Sequence, residues 1–210
     1  CAWGYKEGID GGLKGIVNEQ WANFASQYRL YDAFYFSFAP EDERKSRIMT
    51  KYINSGGDTV NLLTDYSDAT RAMKYPPDPD GTGSQHGNDV PMIRYADILL
   101  SKAEALNELN GPNQESVDLI NQIRTRAGFT EDLQVSDFGS KTDLREHILN
   151  ERKWEFWYEG KRRRDLIRHG KFIEYAHDRG ISHANSDHVW FPLPQSAIDA
   201  NPLLEQNPGY

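Results

Sequence analysis

The amino-acid sequence predicts a mainly α-helical protein with long loops and little β-sheet. Between residues 93 and 169, apolar side chains recur at steps of three and four, which is the period of amphipathic helices. Before residue 93, glycine and aromatic residues and turn signals are frequent and the chain looks irregular. The sequence therefore divides into a loop-rich, aromatic-rich segment, 1–92, and a helical region, 93–210.

The segment 1–92 is predicted to consist of loops and one small hairpin. A cluster of glycines between residues 4 and 15 marks an opening loop, because glycine accepts backbone conformations that other residues resist. Segments 47–53 and 58–64 flank an Asn-Ser-Gly-Gly turn and are predicted to pair. The stretch 75–91 is rich in proline and glycine, so no regular element is expected there.

The helical region is predicted to begin with two helices, over 93–109 and 114–127. The apolar residues of the first helix, with Ile93 and Leu109 at its ends, are expected to form one buried face. Gly111 and the proline after it end that helix, since glycine accepts the left-handed conformation of the cap and proline cannot continue the helix. The short turn predicts an antiparallel pair of tetratricopeptide type, which cannot bury its outer face alone.

Two more helices are predicted over 142–158 and 161–169. Thr142 or Asp143 is expected to cap the first of them, and glycines follow both. The tail, 189–210, contains four prolines and is predicted to be extended.

Charge and cysteine content exclude several classes of protein. The formal net charge of −8 argues against general binding to nucleic acid, which usually needs clustered positive charge. No apolar run approaches the roughly 20 residues of a membrane-spanning helix. The single cysteine, Cys1, rules out an intrachain disulfide. Cys1 is either a lipid-modified first residue or a fragment boundary, and the absence of a polar tether after it favours the boundary.

Three glutamates, Glu151, Glu155 and Glu159, lie at i, i+4 and i+8 and therefore line one stripe of the third predicted helix. Paired carboxylates can catalyse glycoside hydrolysis. The basic residues between 152 and 164 favour a different interpretation, because cations lower the pKa of carboxyls and a general acid needs a raised pKa. We therefore expect these glutamates to be shielded from solvent and paired with arginines, Arg162 among them.

A weak calcium motif lies in the loop 75–91. Asp78, Asp80 and Asp89 imitate three ligand positions of a calcium-binding loop, but the last ligand of such a loop is normally a glutamate. Calcium is therefore the one cofactor that the sequence leaves open, with these aspartates as its weak candidates. No other metal or cofactor motif is present in the sequence.

The candidate glycan-binding residues are Trp3, Tyr5 and Trp21. Other rings are assigned to packing in the predicted helices or the tail: Trp154, Phe156, Trp157 and Trp190. The three candidates instead lie in the glycine-rich opening, outside any helical period. The C–H face of a sugar ring stacks on an aromatic plane, so an exposed ring among the three is predicted to bind sugar.

Four segments within residues 88–210 carry a family resemblance. They read RYADILL followed by AEALNE within 94–108, INQIRTRAG at 120–128, LREHILNERKWEFWYEGKRRRDLIR at 144–168 and PLPQSAIDANPLLEQNPGY at 192–210. In this order they resemble the SusD/RagB family of surface glycan-binding lipoproteins. Members of that family are about twice as long, so the chain looks like the carboxy-terminal portion of such a protein.

The resemblance implies a SusD-like fold and a non-catalytic role at the outer membrane. It implies that a glycan is bound at the cell surface and delivered to a SusC-like TonB-dependent transporter. Contact with the membrane would come only through a lipid anchor on the full-length protein. Two alternatives stay open: a protein-interaction scaffold of the uptake complex without a sugar site of its own, and a glycoside hydrolase, which the paired charges disfavour.

Overall fold

The computed structural model describes residues 5–10, 28–75, 78, 80 and 87–210. These residues belong to two compact units, Cys1–Glu159 and Gly160–Tyr210. Helices predominate in the described residues, as the sequence predicts, and the strands are short. No helix in these ranges is both long and apolar enough to cross a bilayer.

Three helices form the main core of the first unit: α2 (Tyr95–Asn110), α3 (Gln114–Arg126) and α4 (Lys141–Glu155). Helix α2 packs against both of the others, and the turn between α2 and α3 is short enough to make them an antiparallel pair. The buried core consists of Ala96, Leu99, Leu100, Ala103, Leu119, Ile120, Ile123, Leu144, Ile148 and Phe156. The helical period therefore predicted most of this core correctly.

The two apolar residues assigned to the ends of the first helix are exposed instead. Ile93 precedes the first residue of α2, so the helical period does not apply to it. Leu109 lies nine residues after the buried Leu100, which places the two side chains on opposite sides of a helix with 3.6 residues per turn. The prediction that both are buried was wrong.

The helix ends are set by local hydrogen bonds. The Asn113 side chain accepts a hydrogen bond from the Ser116 N–H, and the Ser140 hydroxyl accepts one from the Asp143 N–H. Ser140, rather than Thr142 or Asp143, is therefore the cap of α4. Gly128 ends α3 at a φ of 95°, and a Cβ there would lie 2.6 Å from Cγ of Glu43, so only glycine fits.

Two small sheets precede these helices. Strands β1 (Tyr5–Gly8), β3 (Lys51–Asn54) and β4 (Thr59–Asn61) form an antiparallel sheet in the order β1-β3-β4. Strands β2 (Ile48–Met49) and β5 (Arg71–Ala72) form an antiparallel pair. The predicted hairpin is confirmed as β3–β4, whereas the opening segment is not loop throughout, because it contributes β1.

A second aromatic cluster joins the chain before β2 to the end of α4. Helix α1 (Asp32–Phe36) is followed by a 3₁₀ turn, Glu43–Arg47. Phe38 and Trp157 are buried together in this cluster, with Leu30 and Phe34 packed against them. Residues 28–38 are thereby anchored to the turn that follows α4.

The second unit contains α5 (Arg162–Arg168), α6 (Phe172–Asp178), a 3₁₀ turn at Ser186–Val189 and α7 (Gln195–Ala200). The prediction that the tail is extended was wrong for 195–200, where helix α7 begins directly after Pro194. Pro194 did not prevent this helix, because proline is tolerated at the start of a helix. The backbone N–H groups of the first turn have no partner within the helix, so the missing N–H of proline costs nothing there.

Candidate functional site

The predicted sugar-binding residues fall outside the described part of the chain. Trp3 and Trp21 are not among the described residues, and of Tyr5 only the backbone, in β1, is described. Stacking of a sugar on one of these three rings therefore stays a prediction.

Several aromatic rings elsewhere are exposed to solvent. The first unit exposes Tyr28, Tyr31, Phe36, Tyr66, Tyr95 and Tyr158, and the second exposes Trp190, Phe191 and Tyr210. Packing was predicted correctly for Phe156 and Trp157, which are buried, but wrongly for Trp190. The Trp190 ring lies in the tail, where no helical period defines an inner face. Exposed rings of this kind are the groups that stack on sugars.

The glutamate stripe of α4 is buried, as predicted. The side chains of Glu151, Glu155 and Glu159 are at most 2% exposed. Glu151 receives a hydrogen bond of 2.7 Å from Nη1 of Arg44, which also lies 3.2 Å from Glu155. Burial of paired charges in a low-dielectric interior makes each partner depend on the other.

The other partners of the stripe come from distant parts of the sequence. Arg94 donates from Nη1 to Glu155 at 2.8 Å and from Nη2 to Glu159 at 2.7 Å. Arg126 contacts Glu155 at 2.5 Å, and Lys74 bonds to Glu159. The expected arginine pairing is therefore present, but these partners lie outside the basic run 152–164 that predicted it. Within the second unit, the guanidinium of Arg162 lies 5.1 Å from the centre of the Tyr175 ring.

The charges around the stripe oppose acid–base catalysis. Burial alone would raise the pKa of Glu155, but hydrogen bonds from Arg94 and the charge of Arg126 outweigh it and lower the pKa. Glu159 behaves in the same way, with Arg94 and Lys74 outweighing its burial. Burial raises the pKa of Glu151, yet that carboxyl is fully enclosed and no substrate can reach it. The arrangement suits a structural ion network, since a general acid needs both a raised pKa and access to substrate.

The calcium candidates are only partly described. The carboxylate of Asp78 accepts hydrogen bonds from the N–H groups of Asp80 and Gly87, at 3.0 and 2.6 Å, so both oxygens serve the loop itself. Asp89 is exposed. In the described residues, no group of three or more His, Cys, Asp or Glu side chains is placed to hold a metal ion. Calcium binding by this loop stays a prediction.

A buried histidine on α4 predicts a change of stability with pH. Burial lowers the pKa of His147 from 6.5 to about 4, and the charge of Arg124 adds to the effect. The unfolded chain therefore takes up this proton at a higher pH than the folded protein, so stability is lost as the pH falls from 6.5 to 4. The expected loss is about 3 kcal/mol. Urea unfolding at pH 7 and pH 4 measures it, and His147→Gln should remove it.

The matched control is His183→Gln, which changes an exposed loop histidine. We expect this variant to show the same loss of stability between pH 7 and pH 4 as the unchanged protein. A His147→Gln protein with an unaltered pH dependence would contradict the lowered pKa.

Comparisons with known proteins converge on one family. The SusD family model matches residues 18–210. A SusD-like protein of Formosa agariphila is 38% identical over 129 residues, which are 58% of this chain and 25% of that protein. The starch-binding protein SusD of Bacteroides thetaiotaomicron is 31% identical over 163 residues, 73% of this chain and 28% of that protein.

Solved structures agree with this fold. A SusD homologue from Bacteroides thetaiotaomicron superposes with a TM-score of 0.74 at 23% identity, covering 100% of this chain and 48% of its own. A laminarin-binding SusD-like protein gives a TM-score of 0.66 at 20% identity, covering 100% of this chain and 43% of its own. The chain thus spans about a quarter of the length of these sequence relatives and about half of these structures.

Proposed function

Because the chain belongs to the SusD family, we propose that it contributes to glycan binding at the cell surface, without cleaving the glycan. In this proposal the complete protein is held at the outer membrane by a lipid anchor. It delivers its ligand to a SusC-like TonB-dependent transporter. The family match over residues 18–210 carries the proposal.

Two features of the chain support binding rather than hydrolysis. Exposed rings in both units offer planes on which sugars can stack. The glutamates that could have formed a hydrolase site are enclosed and neutralised by arginine and lysine. Relatives named for their ligand bind starch or laminarin, so neutral polysaccharides are the first ligands to test.

Affinity electrophoresis tests the proposal directly. The chain is run through native gels that contain starch, laminarin or no polysaccharide, and we expect retardation in at least one glycan gel. The same mixtures are then assayed for new reducing ends, which should not accumulate. Sustained release of reducing ends by the unchanged chain would replace binding by hydrolysis as the function.

A second function, protein interaction without a sugar site, is favoured by one surface. Val90, Met92, Ile93, Tyr95 and Ile98 are all exposed, at the start of α2 and just before it. Apolar groups this close together usually mark a contact with another surface. If this is the role, no glycan gel will retard the chain, while a transporter or sister subunit will still co-purify with it.

A further inference from the structure

An arginine is buried without an acidic partner in the strand pair β2–β5. Arg71 of β5 is only 7% exposed, and it lies opposite Met49 of β2. Its Nη1 donates to the carbonyl oxygen of Ala69, whereas its Nε is enclosed and has no hydrogen-bond partner. The similarly buried Arg152 is paired with Asp97 at 2.8 Å, but no carboxylate of the described residues pairs with Arg71. An unpaired guanidinium is costly to bury, so this one needs an explanation.

A second arginine faces Arg71 across the neighbouring chain segment. Leu30 and Thr70 form an antiparallel bridge, in which the N–H of Leu30 donates to the carbonyl oxygen of Thr70 at 2.9 Å. One step outward in this register, Arg29 lies opposite Arg71. Burial lowers the pKa of Arg71, and the positive charge of Arg29 lowers it further. Like charges placed opposite each other destabilise a strand pair, and an anion bound by both would reverse that effect.

The nearest acidic residues along these two segments bind the backbone instead. Asp32 and Asp68 each accept a hydrogen bond from the other's backbone N–H, at 2.8 and 3.1 Å. Both carboxylates therefore stabilise the local chain, and neither pairs with Arg71. The net charge of −8 is spread over the whole chain, and salt at physiological concentration screens charges beyond about 8 Å. An anion at Arg71 would therefore interact mainly with the two guanidiniums.

We propose that Arg29 and Arg71 form a binding site for an oxyanion substituent, a carboxylate or a sulfate group, of an acidic polysaccharide. The site rests on the proposed function, because it assumes that the ligand is a glycan. A guanidinium presents five N–H donors in a planar fork that matches the oxygens of either group, and Arg71 uses only some of its donors within the chain. An exposed Arg29 beside an almost buried Arg71 suits a charged group that projects from a sugar ring, rather than the ring itself. The site would add acidic glycans to the neutral ones proposed above.

Methionine at position 71 separates this role from a structural one. Met49 and Ala69 belong to a buried apolar cluster, so Arg71→Met places an unbranched apolar side chain among apolar neighbours and removes the buried charge. The melting temperature should therefore stay the same or rise. Binding of an acidic polysaccharide should nevertheless weaken about 10- to 100-fold, the loss expected when a charged hydrogen-bonding group is removed. Arg29→Gln should also weaken binding, with little change in melting temperature because that side chain is exposed.

The experiment is affinity electrophoresis of the whole chain over a series of polysaccharide concentrations. The gels contain polygalacturonate, which carries carboxylates, carrageenan, which carries sulfates, or the neutral starch and laminarin. We expect retardation by at least one acidic polysaccharide, and the one that retards the chain identifies the group bound. Arg164→Gln is the matched control, because it removes one positive charge from an exposed position of the second unit and should leave binding unchanged.

The outcomes separate the site from the proposed function. Binding of starch or laminarin without binding of either acidic polysaccharide would overturn the site and leave the proposed function standing. The site is also wrong if Arg71→Met and Arg29→Gln bind an acidic polysaccharide as tightly as the unchanged chain. If Arg71→Met fails to fold, Arg29→Gln alone decides. If the unchanged chain binds none of the four polysaccharides, both the proposed function and the site are overturned.

Discussion

Glu155→Gln is expected to lower the free energy of unfolding by about 3–5 kcal/mol, the range measured when one member of a buried charge group is removed. The Glu155 side chain is 2% exposed and its carboxylate lies within 3.2 Å of Arg44, Arg94 and Arg126. Glutamine keeps the size of the side chain but removes its charge. Three guanidiniums would then face one another with one carboxylate fewer, and water screens Arg44 least, because its side chain is only 12% exposed.

A matched exposed pair tests whether burial is the reason. Lys102 and Glu115 form an ion pair of 2.6 Å with both side chains more than half exposed. Glu115→Gln makes the same chemical change on the surface, where such pairs contribute about 0.2–1 kcal/mol. Urea unfolding of the two variants should differ severalfold in effect. Equal small losses in the free energy of unfolding for the two variants would mean that the glutamates of α4 are solvated and do not stabilise the fold.

The helices were predictable because their information is local. An amphipathic period over 10 to 20 residues depends only on neighbours in sequence, so the cores of α2, α3 and α4 followed from it directly. The residues at which the helices begin and end were less predictable. The cap of α4 depends on which side chain reaches a free N–H, and Ser140 rather than Thr142 does so. Short α7 has too few residues for a period to show.

The partners of the glutamate stripe could not be predicted in the same way. The sequence indicated that the stripe would be shielded and paired with arginines, and that is confirmed. Arg44, however, lies 107 residues from Glu151, and Arg94 lies 61 residues from Glu155. Nothing in a single sequence links positions so far apart, because the contact arises only when α4 packs against the rest of the first unit.

The candidate glycan-binding residues show the same limit for function. Composition and glycine content directed attention to the rings near the start of the chain, and those residues lie outside the described part. Tyr158 has a φ of 64°, which is a left-handed backbone conformation. It lies in a segment that carries the family resemblance, yet nothing in the local sequence Trp-Tyr-Glu-Gly predicts that conformation at the tyrosine. Its position depends on Lys74, 84 residues earlier in the chain, which is a tertiary contact.

The second large effect is expected for Phe156→Ala, which should lower the free energy of unfolding by about 3–5 kcal/mol. Phe156 is 2% exposed and belongs to the main core. The guanidinium carbons of Arg94 and Arg152 each lie 5.0 Å from the centre of its ring. Alanine would therefore leave a cavity and also remove the aromatic face that both cations contact.

Phe156→Leu separates these two contributions. Leucine restores most of the apolar volume but has no π-system, so the cavity term largely disappears while the cation–π term, about 0.5–2 kcal/mol per contact, is still lost. We expect the leucine variant to fall between the unchanged protein and the alanine variant in urea unfolding.

Because Arg94 also holds Glu155 and Glu159, losing the ring should loosen the ion network. Combining Phe156→Leu with Glu155→Gln should therefore destabilise the protein by less than the sum of the two single changes. Strict additivity would mean that the ring and the ion network stabilise the end of α4 independently.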